Sequence, residues 1–397
     1  MNKTFVILGA GMQGTAAAYD LAKFAEPEAV ILADARLEQA ESSASRVNNL
    51  TGKHLCKAVQ LDALDLGQLQ AVIKGANVVL SCLPYWMHIR LAPTIIGAGV
   101  HMCDLGGNTD LTLKTLDLDD LAKDLGVSVV PDTGLAPGLV NSIGSYLLDT
   151  LEEADTIRLY CGVLPQNPKP PFNYKLTFNI EGLVAEYDEQ AVALRDGEIA
   201  LIDTLEELEE LDVEGLGRME AFTTSGGTST APYTFQGRVK NYEYKTIRFP
   251  GHCEKMHLYK DFGFWSEEPR LVDGVAVIPR KIFLDLFNEA LKKFEDLDQC
   301  IVRGVGLGVK DGRRVRMQVD IHDKQCEKTG FTSMERLTGF SIAIHANEMA
   351  EGRMPPGCIR YENAIPGGRF LEEIQKRGIH LKFSEERLEL TEPAAAR

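Results

Sequence analysis

Residues 4–24 read TFVILGAGMQGTAAAYDLAKF, an apolar run followed by three glycines and a helix-like stretch. Glycine inside regular structure costs stability, so Gly9, Gly11 and Gly14 predict a turn that a ligand approaches closely. The first glycine suits a tight turn, the second the approach of a pyrophosphate, and the third the packing of helix on strand. A helix N-terminus also favours negative charge, and the stretch therefore predicts a dinucleotide site.

The second apolar run, AVILADA, ends at Asp34, 20 residues beyond Gly14. A carboxylate at this position can accept hydrogen bonds from a ribose diol and would repel a 2′-phosphate, which predicts NAD as the cofactor in preference to NADP. Arg36 leaves an alternative open, since its guanidinium can turn towards such a phosphate or lie solvated at the start of a helix. Met12 and Gln13, inside the glycine turn, are assigned to the same site.

Six apolar runs alternate with helix-patterned stretches over residues 1–130. This alternation predicts an α/β fold with a Rossmann-type doubly wound parallel sheet, whose ligands lie beyond the carboxyl ends of the strands. Asp62 follows the third run, where it either approaches the adenine or caps a helix. Cys82, Leu83 and Pro84 follow the fourth run and are expected near the nicotinamide ribose, with core packing as the alternative for Cys82.

From about residue 155 the pattern becomes strand-rich, in TIRLYCGVL, YKLTFNI, YEYKTIRFPG, IVRGVGLGVKDG and VRMQVDIHD. We therefore predict a second, α+β domain with a mixed sheet over residues 131–339, and a hairpin turn at KDG. The chain then returns to helix in SMERLTGFSIAIHANEMAEG.

Composition excludes several classes of function. The 397 residues include 58 acidic and 42 basic side chains, and a net charge of −16 would repel nucleic acid. No run of about 18 apolar residues occurs, so we expect a soluble, cytoplasmic protein without membrane contact. The eight cysteines form no CxxC pair, and His252 and His257 lie five residues apart, a spacing unlike that of HExxH, so no metal is expected.

Polar candidates lie in two further stretches. PDTGLAPGLVNSIG places Asp132 and Asn141 at the ligand edge of the sheet, where Asp132 either accepts a substrate ammonium or caps the turn. The loop TTSGGTST offers hydroxyls and free backbone N–H groups that suit a small anion, although, as a bare sequence feature, it is better explained as an ordinary flexible loop.

The series GAGMQG, VVLSCLP, CDLGGN, PDTGLAPGLVN, FNIEGLVAEY, EAFTTSGGTST and EYKTIRFPGH resembles the saccharopine dehydrogenase family in its compact form, most closely the lysine 6-dehydrogenases. The resemblance implies NAD-dependent oxidative deamination of L-lysine at its ε-carbon, giving allysine, which cyclises to piperideine-6-carboxylate, with ammonia and NADH. It also implies a homodimer, and a C-terminal segment, about 340–397, that completes the cofactor domain.

This chemistry needs a proton acceptor and a carboxylate pocket. With the resemblance, the candidate catalytic residues are Lys175, Asp132 and His257, and Lys175 is equally a candidate for binding the carboxylate. The candidate substrate-binding residues are Asn141, Tyr174, Thr224, Ser225, Gly226, Gly227 and Thr228.

Two other functions remain open. A saccharopine-type enzyme, acting on a secondary amine of lysine and a dicarboxylate, would need a further anion cluster, which Arg158, Arg238 and Arg248 can supply only if folding brings them together. A dinucleotide-sensing protein without turnover would keep the same fold.

Overall fold

The computed structural model of the protein describes residues 3–293 and 295–388. Its strands are β1 (Thr4–Leu8), β2 (Ala29–Asp34), β3 (Cys56–Gln60), β4 (Val78–Ser81), β5 (His101–Asp104), β6 (Ser128–Val130), β7 (Glu153–Pro165), β8 (Gln190–Arg195), β9 (Glu198–Asp203), β10 (Glu209–Val213), β11 (Gly217–Thr223), β12 (Val239–Arg248), β13 (Arg270–Val272), β14 (Val275–Val277), β15 (Asp298–Lys310), β16 (Arg313–Lys324), β17 (Gly357–Cys358) and β18 (Leu381–Arg387).

The helices are α1 (Met12–Phe24), α2 (Leu37–Thr51), α3 (Leu66–Ile73), α4 (Tyr85–Gly97), α5 (Thr109–Leu116), α6 (Asp119–Asp124), α7 (Leu139–Thr150), α8 (Ile180–Asp188), α9 (Ala231–Phe235), α10 (His252–Asp261), α11 (Pro279–Lys292), α12 (Ser333–Ala350), α13 (Tyr361–Ala364) and α14 (Gly367–Lys376). Among the described residues, none of these helices has the length and apolar character needed to cross a bilayer.

The chain divides into two compact units. Unit 1 comprises Met1–Tyr146, Ser229–Thr234 and Cys326–Ile379, and unit 2 comprises Leu147–Thr228, Phe235–Gln325 and His380–Arg397. The domain limits expected from the sequence, 1–130 with about 340–397 against 131–339, stay a prediction. Residues 389–397 of that prediction lie outside the described residues.

Unit 1 contains a seven-stranded sheet in the order β17-β6-β5-β4-β1-β2-β3, with every neighbouring pair parallel. Strand β1 lies between β2 and β4, and its last residue, Leu8, pairs with Ala33 on one side and with Ser81 on the other. The strand order reverses at this point, which in such sheets is where ligands bind. The Rossmann-type prediction is confirmed.

The C-terminal part of unit 1 packs against its first helix. A Cβ atom added to Gly339 of α12 would lie 2.6 Å from the Cβ of Ala16 on α1, so the two helices approach at small residues. Arg377, which follows α14, forms a buried ion pair with Asp20 of α1, with Nε 2.6 Å from Oδ2. The small residues of α1 therefore serve packing on a late helix as well as on the sheet.

Unit 2 contains a mixed sheet with the main order β10-β11-β12-β7-β15-β16-β18, while β8 pairs with β12 and β9. Strands β12 and β7 are parallel, whereas β7 and β15 are antiparallel. Asp311 and Gly312, at φ 49° and 66°, form the tight turn between β15 and β16. The mixed-sheet prediction and the KDG hairpin are confirmed.

The strand predicted over YKLTFNI is wrong. Residues 174–179 form no strand, and α8 begins at Ile180 behind Asn179, whose side chain accepts the N–H of Gly182 at 2.6 Å. Tyr174 is nevertheless fully buried. The alternation of apolar residues here reflects side chains packed from an irregular segment, which has the same period as a half-buried strand over a few residues.

Candidate functional site

In the glycine turn of unit 1, each of the three positions requires glycine for a different reason. Gly9 lies at φ 91°, and a Cβ there would come within 2.9 Å of the carbonyl oxygen of Cys82. A Cβ on Gly14 would lie 2.0 Å from the carbonyl oxygen of Gly9, so that position admits no side chain. A Cβ on Gly11 would meet nothing within 4 Å. Only Gly11 therefore faces open space, where a ligand can approach the backbone.

The start of α1 carries unused polar groups. Gly11, its N-cap residue, provides no side-chain cap, so the first backbone N–H groups of the helix are available to an anion. The side-chain oxygen of Gln13 is buried and lacks a hydrogen-bond partner among the described residues. Met12 is half exposed beside it. These residues fit the pyrophosphate and ribose of a dinucleotide.

Asp34, at the end of β2, serves the turn itself. Its Oδ2 accepts the N–H of Ala10 at 3.0 Å, and its Oδ1 accepts the N–H of Arg36 at 3.0 Å. Arg36 is exposed, and its guanidinium forms no ion pair within the described chain. The carboxylate therefore holds the backbone of the turn, while a free cation lies at the same end of the sheet.

The residues that follow β3 and β4 were also predicted to lie near the cofactor. Asp62 is exposed and accepts the N–H of Leu64 at 3.0 Å, whereas Asp65 caps α3 by accepting the N–H of Gly67 and of Gln68. Cys82 follows β4, and burial raises the pKa of its thiol to about 12, so it stays protonated. Leu83 and Pro84 lead from there into α4.

Asp132 is the most perturbed of the predicted catalytic groups. It is buried at φ 64°, and its Oδ1 and Oδ2 accept the hydroxyls of Thr112, at 3.0 Å, and Ser229, at 2.5 Å. Burial and the negative charge of Asp104 raise the pKa of Asp132 to about 7. A carboxyl group with that pKa exchanges a proton near neutrality, which is a property of acid–base catalysts.

The other two predicted catalytic side chains are held by backbone carbonyls in unit 2. The Nζ of Lys175 donates to the carbonyl oxygen of Asp296. The Nε2 of His257, on α10, lies 2.8 Å from the carbonyl oxygen of Leu205. Asn141 is buried on α7 and donates its backbone N–H to Gly138.

Residues 223–228 of the TTSGGTST loop are ordered by contacts within unit 2. The hydroxyl of Thr224 lies 2.6 Å from that of Thr246 on β12, and Thr228 donates its hydroxyl to the carbonyl oxygen of Val192 at 2.7 Å. Ser225 donates its N–H to the carbonyl oxygen of Glu186 at 3.0 Å. Gly226 takes φ 81°, and a Cβ on Gly227 would strike the ring of Tyr244 at 2.1 Å. The loop supports α8 and β12.

Helix α8 and strand β12 contribute to a buried polar cluster that centres on Arg248. Its guanidinium lies 5.1 Å from the ring centre of Tyr174, and its Nε donates to the hydroxyl of Tyr187 at 3.1 Å. Glu186 is 3.7 Å from Nη2. Sequence reasoning found Tyr174 but missed Glu186 and Tyr187, because FNIEGLVAEY gives no sign of which residues of α8 face β12.

The three arginines considered for an anion cluster do not assemble. Arg158 pairs with Glu243 at 2.7 Å, and Arg238 pairs with Asp149 at 3.1 Å on an exposed surface. Arg238 precedes β12 and Arg248 ends it, which separates them by about 30 Å along an extended strand.

A glycine turn at the switch point of a parallel sheet, followed by an uncapped helix, defines unit 1 as the dinucleotide-binding part of an oxidoreductase fold. The family model of the saccharopine dehydrogenase NADP binding domain matches residues 5–130, and that of the saccharopine dehydrogenase C-terminal domain matches residues 134–379. The chain belongs to the saccharopine dehydrogenase family.

Two curated relatives carry the same family name, and two solved structures share the fold. Saccharopine dehydrogenase [NADP(+), L-glutamate-forming] of Pyricularia oryzae is 24% identical over 77% of this chain and 73% of its own length, and the Schizosaccharomyces pombe enzyme of the same name is 22% identical over 82% and 88%. The apo saccharopine dehydrogenase (L-Glu forming) of Saccharomyces cerevisiae superposes with a TM-score of 0.78 at 18% identity, covering 98% of this chain and all of that one. A homospermidine synthase from Legionella pneumophila, in complex with NAD, gives 0.66 at 13% identity, over 97% and 92% of the chains.

The expected preference for NAD over NADP is wrong, because the matching family model is that of an NADP-binding domain and both fungal relatives are named for NADP(+). The physical reason lies in Asp34, whose carboxylate is hydrogen-bonded to the glycine turn, and in the free cation Arg36. The family prediction is confirmed, while the finer likeness to lysine 6-dehydrogenases gains no support from these relatives.

Proposed function

We propose that this protein is an NADP-dependent oxidoreductase that acts on the secondary amine of saccharopine. The observation that carries the proposal is the match of both family domains, over residues 5–130 and 134–379, together with relatives named saccharopine dehydrogenase [NADP(+), L-glutamate-forming]. In the oxidative direction the products are L-glutamate, allysine, NADPH and a proton, and one water is consumed.

The chemistry requires a neutral amine. A hydride leaves the ε-carbon only when the nitrogen lone pair can stabilise the developing iminium, so a base or water must first take the proton. Bound NADP supplies the acceptor for that hydride. Water then adds to the iminium carbon, and the carbon–nitrogen bond breaks to release L-glutamate.

We assign the proton-acceptor role to Asp132. Its pKa, raised to about 7 by burial and by Asp104, allows it to take a proton from an amine near neutral pH. Thr112 and Ser229 each donate a hydroxyl hydrogen bond to it, which fixes the orientation of the carboxylate. Lys175 and His257 are the alternative candidates, and each lies against a backbone carbonyl in unit 2.

Arg36 is expected to hold the 2′-phosphate of NADP. Arg36→Ala should weaken NADPH binding by about ten- to hundredfold, since a hydrogen bond to a charged group contributes about 1.5–3 kcal/mol, and should leave NADH binding unchanged. Fluorescence titration of both cofactors measures this, with the exposed Lys57→Ala on β3 as the matched control. An equal loss for both cofactors would contradict the role.

A second candidate, oxidative deamination of L-lysine, is favoured by one observation. Arg158, Arg238 and Arg248 form no cluster that could hold the dicarboxylate half of saccharopine. Both reactions remove a hydride from the same ε-carbon, and they differ only in the nitrogen compound that leaves. Saccharopine releases L-glutamate, whereas lysine releases ammonia.

The product of turnover therefore tests the proposal. Purified protein with NADP and L-saccharopine should form L-glutamate and NADPH in a one-to-one ratio, and L-lysine should give no NADPH. Ammonia formed from L-lysine in step with NADPH would reject the proposal in favour of the second candidate. Absence of turnover with either compound would indicate a dinucleotide-binding protein without this activity.

A further inference from the structure

A short segment of unit 1, Ser229–Thr234, is bound by two buried carboxylates. Ser229 donates its hydroxyl to Oδ2 of Asp132 at 2.5 Å. The next residue, Thr230, donates its hydroxyl to Glu362, at 3.0 Å from Oε2 and 3.1 Å from Oε1. Two consecutive residues of the segment therefore join the candidate proton acceptor to a second carboxylate.

Glu362 lies on α13 and is held by a chain of donors that begins at a cation. Arg360 donates from Nη1 to the hydroxyl oxygen of Thr234 at 3.0 Å, and Thr234 donates in turn to Oε1 of Glu362. Burial raises the pKa of Glu362, against the hydrogen bonds from the two threonines and the charge of Arg360. Because a buried carboxylate is costly to leave without its donors, Glu362 fixes the positions of both hydroxyls.

The hydrogen bond between Ser229 and Asp132 joins two residues whose backbone has to be held in place. Their φ angles are 45° and 64°, in the left-handed region that residues with a side chain adopt when the surrounding structure imposes it. Asp104 holds Asp132, since its Oδ1 accepts the N–H of Asp132 at 3.2 Å. On the other side of the bond, Ser229 is tied to Glu362 through its neighbour Thr230.

The charged and titratable groups around Asp132 come from β5, α4 and α13. Burial and the charge of Asp104 raise the pKa of Asp132, the hydrogen bond from Ser229 lowers it, and the charge of Glu362 raises it by less. His88 on α4 interacts with Asp104, and burial lowers the pKa of His88, so its ring is neutral near neutral pH. Loss of the bond from Ser229 would therefore raise the pKa of Asp132 more than loss of the charge of Glu362 would lower it.

We infer that Glu362 is a positioning residue for Asp132. It anchors Thr230 and Thr234, and this holds the hydroxyl of Ser229 against the carboxylate that takes the proton. Without the anchor Ser229 moves away, and a larger share of Asp132 is protonated at neutral pH, where it cannot accept a proton from an amine. The inference rests on the proposed function for the reaction, but the effect on Asp132 is measurable without turnover.

Carbon NMR titration of the aspartate carboxyl groups tests this role. With ¹³C-labelled aspartate, the resonance of Asp132 is the one that Asp132→Asn removes. In Glu362→Ala the pKa of Asp132 should rise by about one pH unit, the equivalent of one hydrogen bond to a charged group. Glu362→Gln keeps an oxygen that accepts both hydroxyls, so it should lower that pKa slightly through the lost charge. Glu372→Ala, at an exposed position on α14, should leave it unchanged.

Ser229→Ala decides whether Glu362 acts through the serine hydroxyl. This variant alone should raise the pKa of Asp132 by about the same amount, and adding Glu362→Ala should cause no further rise. Additive rises, or an unchanged pKa of Asp132 in Glu362→Ala, would overturn the inference. If Glu362→Ala does not fold, Thr230→Val should give a smaller rise in the same direction, and no rise in that variant would overturn the inference equally.

Turnover separates the positioning role from the proposed function. With L-saccharopine and NADP, the fall of kcat/KM on the acidic side should move to higher pH in Glu362→Ala by about one pH unit, and Glu362→Gln should restore nearly the wild-type profile. A pKa of Asp132 that depends on Glu362 in a protein that does not turn over L-saccharopine would refute the proposed function and leave the positioning role standing. Turnover with a pKa of Asp132 independent of Glu362 would refute the positioning role alone.

Discussion

Arg377→Met should lower the free energy of unfolding of unit 1 by about 3–5 kcal/mol, because it leaves the carboxylate of Asp20 buried without a counter-charge. The pair is bidentate, with Nε 2.6 Å from Oδ2 and Nη2 3.0 Å from Oδ1, and the two side chains are 3% and 1% exposed. For a unit of this size the loss corresponds to a fall in Tm of roughly 6–20 °C. Calorimetry or circular dichroism measures it.

Two controls decide whether the buried charge is the cause. Lys376→Met, which removes the neighbouring surface pair of Lys376 with Glu373, should cost less than about 1 kcal/mol. The double variant Asp20→Leu with Arg377→Met removes both charges and should recover most of the stability of the wild type. A double variant as unstable as the sum of the single variants would show that lost packing, and not the orphaned charge, sets the effect.

The sheet of unit 1 could be predicted because its strands are short apolar runs bounded by turn residues, a local pattern. The strand at YKLTFNI was predicted wrongly, since an irregular segment that buries Tyr174 has the same short-range alternation. The packing of α12 on α1 could not be read from periodicity, because it joins residues such as Ala16 and Gly339 that lie far apart in the chain. Only the family resemblance implied that the C-terminal segment completes the cofactor domain.

The residues of the candidate sites also divide into those that a local sequence pattern predicts and those that depend on contacts between distant parts of the chain. The glycine turn is local, and its residues lie together at the switch point as predicted from their spacing. The NAD preference drawn from Asp34 was wrong, and the bonds of Asp34 to Ala10 and Arg36 could not be foreseen, because they depend on how the turn folds. Arg248 and Glu186 come from different elements, β12 and α8, and their approach to 3.7 Å has no signature in either stretch alone.

The glycine turn itself gives the last prediction, which contrasts two of its glycines. Gly11→Val should fold as the wild type does, because Gly11 has φ −72° and a Cβ there meets nothing within 4 Å. Its side chain would nevertheless occupy the space through which the pyrophosphate reaches the backbone. NADPH affinity should fall about hundredfold or more, the equivalent of two lost hydrogen bonds to a charged group.

Gly14→Ala, in contrast to Gly11→Val, should first of all lower the stability of the protein. Its added Cβ would lie 2.0 Å from the carbonyl oxygen of Gly9 and 3.1 Å from Cγ2 of Ile7, so the strand and helix must move apart. We expect a loss of stability of about 1–3 kcal/mol or more, detectable as a lower Tm before any cofactor is added. Gly11→Ala, with its smaller side chain, is the matched control and should show an intermediate loss of NADPH affinity at wild-type Tm. If Gly11→Val bound NADPH normally while Gly14→Ala alone were impaired, the glycines would serve packing only, and the dinucleotide would have to bind elsewhere than at the N-terminus of α1.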